Sequence, residues 1–501
     1  MGCEELQLLL GYEAKCSYLS PIANCVSDGY INYLYLFYCF FEDFPALGYI
    51  LLALWILVLF YVLGDTASNY FCSCLENLSR LLKLSPTIAG VTLLSLGNGA
   101  PDVFSSLVSF TGGGAFDVGF NTVLGGASMV TCVVGGVVSI LVRERRIQVH
   151  RAAFARTIGF YLFVIIMLLL IFVFGKINLW GAILFWSTYV IYVMIVYFWN
   201  SEDDEIDDQF VGVDEEAMAP FLHVMENGRE GVGSEKMWRV SRLWEVVLLC
   251  VGMVFSLPRR LTIPIICEAR WSKFYFVTSI CLSPTLLTTL WYLQEIHSKL
   301  STVMVVYGIG VVVGGGLGVL GYYTCECSTP PNKLILLWLV LGFVMSMIWS
   351  YIVAEELLGL LLSIGYIVGI SPSILGFTVL AWGNSIGDLI TDSTMAAKGG
   401  SRGARVAISG CYAGPMFNIV FGLGVSMICA SWDTYPSSIA ITWDPHLVET
   451  LGILSCCLLW TALNLWRREG KLDAPFGAGC IAIYIFLFIR RLFSRGDTTS
   501  N

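Results

Sequence analysis

The feature that most constrains this chain is a succession of apolar stretches of about 20 residues, separated by polar turns. A helix of that length crosses the ~30 Å hydrocarbon layer of a bilayer with every backbone hydrogen bond satisfied inside the segment. Twelve spans are expected, near residues 44–63, 86–110, 121–142, 154–174, 179–199, 272–293, 302–322, 333–353, 371–397, 406–428, 447–466 and 475–492. Leu243 to Phe255 and Leu357 to Ile370 are apolar but shorter, and lie along the interface or extend neighbouring helices; Tyr30 to Phe41 is too short to cross. A composition of 57% hydrophobic and 13% charged residues excludes an ordinary soluble domain. The fold class is an all-α multi-pass membrane protein. The net charge of −9 does not point to nucleic acid, because the acids gather in one loop.

Within this frame one stretch occurs twice. Ser85 to Asp102 reads SPTIAGVTLLSLGNGAPD and Ser371 to Asp388 reads SPSILGFTVLAWGNSIGD; aligned without gaps at an offset of 286, they share nine of 18 positions. The shared residues include Gly97/Gly383, Asn98/Asn384 and Asp102/Asp388. An internal duplication is the natural reading.

Orientation follows from arginine and lysine, which stay on the cytoplasmic side of short loops. Arg143, Arg145, Arg146, Arg151 and Arg156 place their loop in the cytoplasm. Counting spans from there puts Arg80 and Lys83, the loop with Lys398, Arg402 and Arg405, and Arg467, Arg468 and Lys471 on the same side. Arg490, Arg491 and Arg495 fall outside, against the rule, which suggests a miscounted span. On this count the two copies run in opposite directions, an inverted repeat of the kind that places a binding site near the bilayer midplane.

The expected organisation is an extracytoplasmic segment 1–43, a first membrane half 44–199 with repeat 85–142, and an acidic cytoplasmic loop and linker 200–271. An additional hairpin 272–322, a second half 333–492 with repeat 371–428, and a tail 493–501 follow. No cleaved signal peptide is expected. Cys3, Cys16, Cys25 and Cys39, ahead of the first span on the oxidising side, can form two disulfides; free thiols are the plain alternative.

In each copy an amide and a carboxylate stand four residues apart and share one helix face: Asn98 with Asp102, and Asn384 with Asp388. A carboxylate inside an apolar span costs at least about 2 kcal/mol unless compensated, so it marks function by default. Pro101 has no amide hydrogen for the Gly97 carbonyl, which frees an oxygen in the first copy; Gly387 stands there in the second. With the hydroxyls of Thr92, Ser95, Thr378 and Ser385 this is an all-oxygen set suited to hard cations, calcium above all, and also sodium or potassium. Hydrogen-bonded glue between helices is the bland alternative for the amides and hydroxyls.

Each copy continues into a second helix. Gly410 to Asn418 reads GCYAGPMFN and buries an amide; the first copy offers Gly125 to Thr131, GGASMVT, with Ser128 or Thr131 as weaker substitutes and Val130 at the place of the amide. Asp392, one turn beyond Asp388, matches Ser106, and is either solvated at the cytoplasmic end or on the ion path.

GNGAPD at Gly97 to Asp102, GNSIGD at Gly383 to Asp388 and GPMFN at Gly414 to Asn418 resemble the two alpha repeats of the sodium/calcium exchanger superfamily. The likeness is greatest to its cation/calcium exchanger branch, which includes plant cation/calcium exchangers and the mitochondrial sodium/calcium exchanger of animals. GYINYLYLFYC at Gly29 to Cys39 and LGDTASNYFC at Leu63 to Cys72 are most similar to the plant members. The resemblance implies two inverted five-helix halves and antiport of calcium against monovalent cations by alternating access. It implies that Asp102 and Asp388 bind the transported calcium, with Asn98, Asn384, Ser385 and Asn418 as neighbouring ligands; Thr92, Gly97, Ser128 and Thr378 are weaker candidates offered by the residues themselves. Many sodium/calcium exchangers carry glutamate at the carboxylate position and an amide in place of Val130; this chain departs at both.

No catalytic residues and no resident cofactor are expected, only transported Ca2+, Na+ and K+, with inorganic cations and the lipid bilayer as partners and no nucleic acid. The membrane is the plasma membrane or an endomembrane such as the vacuole or endoplasmic reticulum. The alternatives are a proton-coupled or calcium-independent Na+/K+ transporter, a cation channel, or an intramembrane aspartyl protease, whose usual GxGD pattern is missing. The acids Glu202 to Asp208 and Asp214 to Glu216 lack EF-hand spacing and read as a solvated linker. Cys72/Cys74 and Cys325/Cys327 are too sparse for zinc, and His150, His223, His297 and His446 share no spacing.

Overall fold

The computed structural model describes residues 11–19, 29–72, 74, 77–78, 81, 95–111, 116–142, 149, 151–207, 255–266, 271–294, 300–326, 330–331, 334–370, 372–398, 400–441, 444–467 and 473–493. The main helices are α1 (Tyr12–Tyr18), α2 (Pro45–Thr66), α3 (Ser95–Thr111), α4 (Phe116–Ser128), α5 (Gly135–Leu141), α6 (Arg151–Phe174) and α7 (Leu179–Asp207). They continue with α8 (Lys273–Gln294), α9 (Leu300–Thr324), α10 (Ile335–Val368), α11 (Ala381–Lys398), α12 (Gly400–Phe417), α13 (Gly424–Asp433), α14 (Pro445–Arg467) and α15 (Ala474–Phe493).

Among the described residues eleven helical stretches are long and apolar enough to cross a membrane, and each coincides with an expected span. The remaining span, 86–110, is represented by α3, since residues 82–94 lie outside the described residues. α10 absorbs the stretch from Leu357 into one helix of 34 residues. The backbone of α7 runs on through the first acids of the linker to Asp207; residues 208–254, with the rest of the acids and most of Leu243 to Phe255, lie outside the described residues.

The chain divides into two compact units, with boundaries inside α2 and α10. The larger unit comprises residues 1–60, 86–228 and 354–501 and contains both repeats. At the offset of 286 the described part of the first helix, Ser95–Thr111 of α3, overlies α11, and Asp102 falls opposite Asp388. Each second helix is interrupted by six π-helical residues, Met129–Val134 after α4 and Asn418–Leu423 after α12, and resumes at a glycine, Gly135 or Gly424. Such wide turns open the backbone ladder and recur at functional sites. Val130, which the sequence sets against Asn418, is buried as Asn418 is, whereas Met129 is only partly buried.

The copies pack reciprocally. A Cβ on Gly125 of α4 would lie 2.8 Å from the Phe377 carbonyl oxygen and 3.0 Å from Ala381, and one on Gly376 would lie 2.9 Å from the Val118 carbonyl oxygen. In the mirror contact, a Cβ on Gly422 would lie 3.3 Å from Val103 of α3, and Ser106 meets Ser426 at 3.0 Å. The first helix of each copy thus lies on the second helix of the other, as two inverted halves require. Around this pair Phe120, Leu124, Tyr161, Leu168, Tyr412, Leu454 and Leu458 form a buried core. A two-residue antiparallel pairing, β1 (Lys176–Ile177) with β2 (Ile439–Ala440), links the turn after α6 to the one after α13.

At the N-terminal side a disulfide joins Cys16 to Cys39; Cys3 and Cys25 lie outside the described residues. Buried Glu356 accepts from the Tyr30 backbone N–H at 2.7 Å and from the Tyr33 hydroxyl, which in turn accepts from Trp55 at 2.7 Å. Burial, and then the Glu356 carboxylate, push the Tyr33 phenol well above its usual range.

Two of the arginines that defied the charge rule, Arg490 and Arg491, are tied into the protein; Arg495 lies outside the described residues. Arg490 pairs with Glu449 at 2.5 Å, and Arg491 is buried and bonded to the His446 carbonyl at 2.8 Å. Charges held by protein partners do not report orientation, and α15 coincides with the last expected span, so no miscounted span has to be invoked there.

The smaller unit comprises residues 61–85 and 229–353. Gly310, Gly314, Gly318 and Gly321 are buried on α9, and a side chain at Gly310 or Gly314 would run into Pro284, Thr288 or Cys281 of α8, which is the close backbone approach small residues permit in lipid. Arg259, 1% exposed, pairs with Asp65 at 2.7 Å and donates to Thr66 at 2.8 Å.

Candidate cation site

α3 carries Asp102 into the larger unit one residue after Pro101, and leaves it 4% exposed. Two amides from the other copy close on it. Asn384 of α11 donates through Nδ2 to Asp102 Oδ1 at 3.0 Å, and Asn418, at the start of the second π-turn, donates to Oδ2 at 2.7 Å. Asn384 also reaches Ser105 Oγ at 3.3 Å. A charged acceptor holding two donors in a dry interior is the arrangement in which each hydrogen bond counts most.

Glycines make the room. A side chain on Gly99 would overlap the Asn418 amide oxygen, so that amide lies flat against α3. One on Gly126 of α4 would stand 3.4 Å from Asp102 Oδ2 and 3.5 Å from Ser385 Oγ, so the backbone of the first copy's second helix borders the site. Three buried oxygens of the other copy, Asn384 Oδ1, Asn418 Oδ1 and Ser385 Oγ, make no hydrogen bond among the described residues. A buried polar atom left without a partner costs about 1–3 kcal/mol, and three close to one carboxylate point to something they bind. Carboxylate, amide and hydroxyl oxygens together match a hard cation.

Asp388 sits one turn beyond Asn384, half-buried, with no hydrogen bond to its carboxylate among the described residues, and in electrostatic reach of Asp392 and Asp102. Asp392 accepts from the Cys411 thiol at 3.3 Å. The two copies of the motif therefore have different surroundings: Asp102 is enclosed by amides, Asp388 is more open.

Other sequence candidates are distributed as follows. Asn98 and Gly97 lie on α3, their side-chain surroundings outside the described residues, and Thr92 is outside them altogether. The Ser128, Thr131 and Thr378 hydroxyls donate to the carbonyls of Leu124, Cys411 and Ile374, and none is bonded to Asp102. Among the described residues no group of three His, Cys, Asp or Glu side chains gathers as for a tightly held metal; the oxygens around Asp102 come from amides and a hydroxyl. Sequence reasoning missed Ser105, although its spacing of three from Asp102 places it on the same helix face, and it missed Gly99 and Gly126, whose role is to be absent as side chains.

The pattern of the sodium/calcium exchanger protein family matches residues 52–198 and 338–493, more than half of the chain. This chain belongs to that family. Cation/calcium exchanger 2 of Arabidopsis thaliana is 48% identical over 99% of this chain and 92% of its own length. The mitochondrial sodium/calcium exchanger protein of Rattus norvegicus is 29% identical over 95% of this chain and 86% of its own. A crystal structure of an H+/Ca2+ exchanger, CAX, aligns over 86% of this chain and 80% of that one at a TM-score of 0.48 and 12% identity. Sodium/calcium exchangers are transporters, and family membership with eleven membrane-length helices makes this chain an integral multi-pass membrane protein. The two matched regions hold the whole of the Asp102 environment, from α3 to Asn418, while α8 and α9 fall between them.

Proposed function

We propose that the chain is a cation/calcium antiporter that exchanges Ca2+ for monovalent cations, Na+ and/or K+, by alternating access. The observation that carries this reading is the buried Asp102 carboxylate, held by two amides of the other copy and bordered by three buried oxygens that lack partners. Asp102 and Asp388 supply the negative charge, and Asn98, Asn384, Ser385 and Asn418 the neutral ligands. Each amide at Asp102 gives its N–H to the carboxylate and keeps an unsatisfied oxygen; a half-turn of the amide exchanges the two and presents oxygen to a cation at Asp102. The names of the 48% and 29% identical relatives support calcium and sodium as cargo.

Coupling follows from electrostatics. Carrying an uncompensated carboxylate through a closed, dry intermediate is prohibitive, so only the occupied site reorients. The Cys16–Cys39 disulfide supports a membrane whose extracytoplasmic side is oxidising, the plasma membrane or an endomembrane of the secretory route. The test is Ca2+ uptake by sealed vesicles holding the purified chain under imposed Na+, K+ or H+ gradients. Uptake driven by Na+ or K+ and lost in Asp102→Asn is expected. Uptake driven by H+ alone would identify proton coupling instead, and Ca2+ flux needing no counter-cation would identify a channel.

A further inference from the structure

Arg491 is a charge inside a membrane-length helix that the proposed exchange does not use. It is 3% exposed. Its guanidinium donates to the His446 carbonyl at 2.8 Å, to Thr450 Oγ1 at 3.2 Å and to Asn121 Oδ1, and lies 4.5 Å from the centre of the Phe377 ring. All of these partners are neutral; of the two carboxylates in electrostatic reach, Asp444 and Glu449, neither is bonded to it, and Glu449 is taken by Arg490. An arginine buried in the protein at the end of a membrane-length helix without a direct carboxylate partner is costly, and where one persists its planar fork is holding several elements in place.

The elements it holds belong to opposite repeats. Asn121 is on α4 of the first copy, and Phe377 is in the π-turn Gly376–Leu380 of the second. Between those contacts runs the tight seam where Gly125 meets the Phe377 carbonyl and Gly376 meets the Val118 carbonyl. Five residues beyond Asn121, about 7.5 Å along the helix, Gly126 borders Asp102 and Ser385. Seven residues beyond Phe377 stands Asn384, bonded to Asp102.

We infer that Arg491 is a positioning residue that clamps α4 to the first helix of the second copy and thereby sets the width of the cation site at Asp102. This rests on the reading of Asp102 as the cation site. A clamp on width acts on which ion radius fits, whereas a residue needed only for folding lowers the amount of working protein and leaves discrimination between ions intact.

The experiment measures Ca2+ and Sr2+ uptake, each against concentration, in vesicles with the full chain and with Arg491→Met, Arg491→Lys and Asn121→Ala. Removing an outer partner of a cation site typically costs about 10–100-fold in affinity, so Arg491→Met is expected to raise the half-saturating Ca2+ concentration about tenfold. It is also expected to change the Ca2+/Sr2+ preference by about threefold or more, with Arg491→Lys between it and the wild type because an ammonium cannot fork. Asn121→Ala, which removes one arm of the clamp, shifts the preference in the same direction. An unchanged Ca2+/Sr2+ preference in Arg491→Met overturns the clamp even if the maximal rate falls; should that variant not fold, an unchanged preference in both Arg491→Lys and Asn121→Ala does so. Wild-type uptake that does not depend on Asp102 overturns the cation-site reading itself, which separates the two failures.

Discussion

The two copies of the motif place an aspartate at the same point of the same helix, yet the two carboxylates live differently. Asp102 is enclosed and accepts from Asn384 and Asn418; Asp388 is half-buried and accepts no hydrogen bond among the described residues. The reason lies in the opposite copy. The second copy offers Asn384 and Asn418 to Asp102, whereas the first copy's second helix has Val130 where the second copy has Asn418. One substitution in one copy therefore rewrites the site of the other. Asymmetry recurs a turn further on, where Ser106 pairs with Ser426 while its counterpart Asp392 takes the Cys411 thiol.

The largest effect expected of breaking this comparison is loss of coupled exchange in Asp102→Asn and in Asp388→Asn, read as Ca2+ uptake against a monovalent gradient. The conservative pair separates the two: Asp102→Glu, with no room beside Gly126 and two amides, abolishes exchange, whereas Asp388→Glu keeps a measurable rate. Equal tolerance at both positions would show that the difference in enclosure is irrelevant to transport. Next in size is Asn418→Ala, expected to raise the half-saturating Ca2+ concentration about 10–100-fold, a range typical of losing a partner of a cation-binding group; Val130→Ala, at its counterpart, should leave it unchanged. Val130→Asn restores an amide to the first copy and is expected to shift cation affinity about threefold, the worth of one net hydrogen bond. Smallest for transport is Cys16→Ser with Cys39→Ser, outside both copies. Loss of the crosslink lowers thermal stability by about 2–4 kcal/mol with the ion preference unchanged; a change in preference would tie the N-terminal segment to the site.

Much of this was legible in the residues alone. Apolar length marked the spans, and the offset of 286 marked a repeat whose two aspartates both lie within helices, α3 and α11. Asp102, Asn384 and Asn418 stand out because polar groups in an apolar helix need a reason. The sequence does not show which groups meet, since helical periodicity gives a face and not the partner across the interface. Asn98 and Asp102 share a face, but the amides on Asp102 come from residues 282 and 316 positions away. Ser105 was hidden for the same reason. Arg490 and Arg491 stood against the orientation read from the other loops because the charge rule treats all cations as free, and these are bound.

The separation between Asp102 and Asn418 also bears on how the protein is made. The carboxylate enters the membrane 316 residues before its second amide exists, which at about 5–20 residues per second is an interval of roughly 15–60 s. Through that time the first half must keep an acid at membrane depth with neither partner from the second half. Nascent first halves should accordingly be the species that the insertion machinery holds back or quality control removes, and a ribosome stalled between the repeats should leave a short-lived fragment rather than a stable half-transporter.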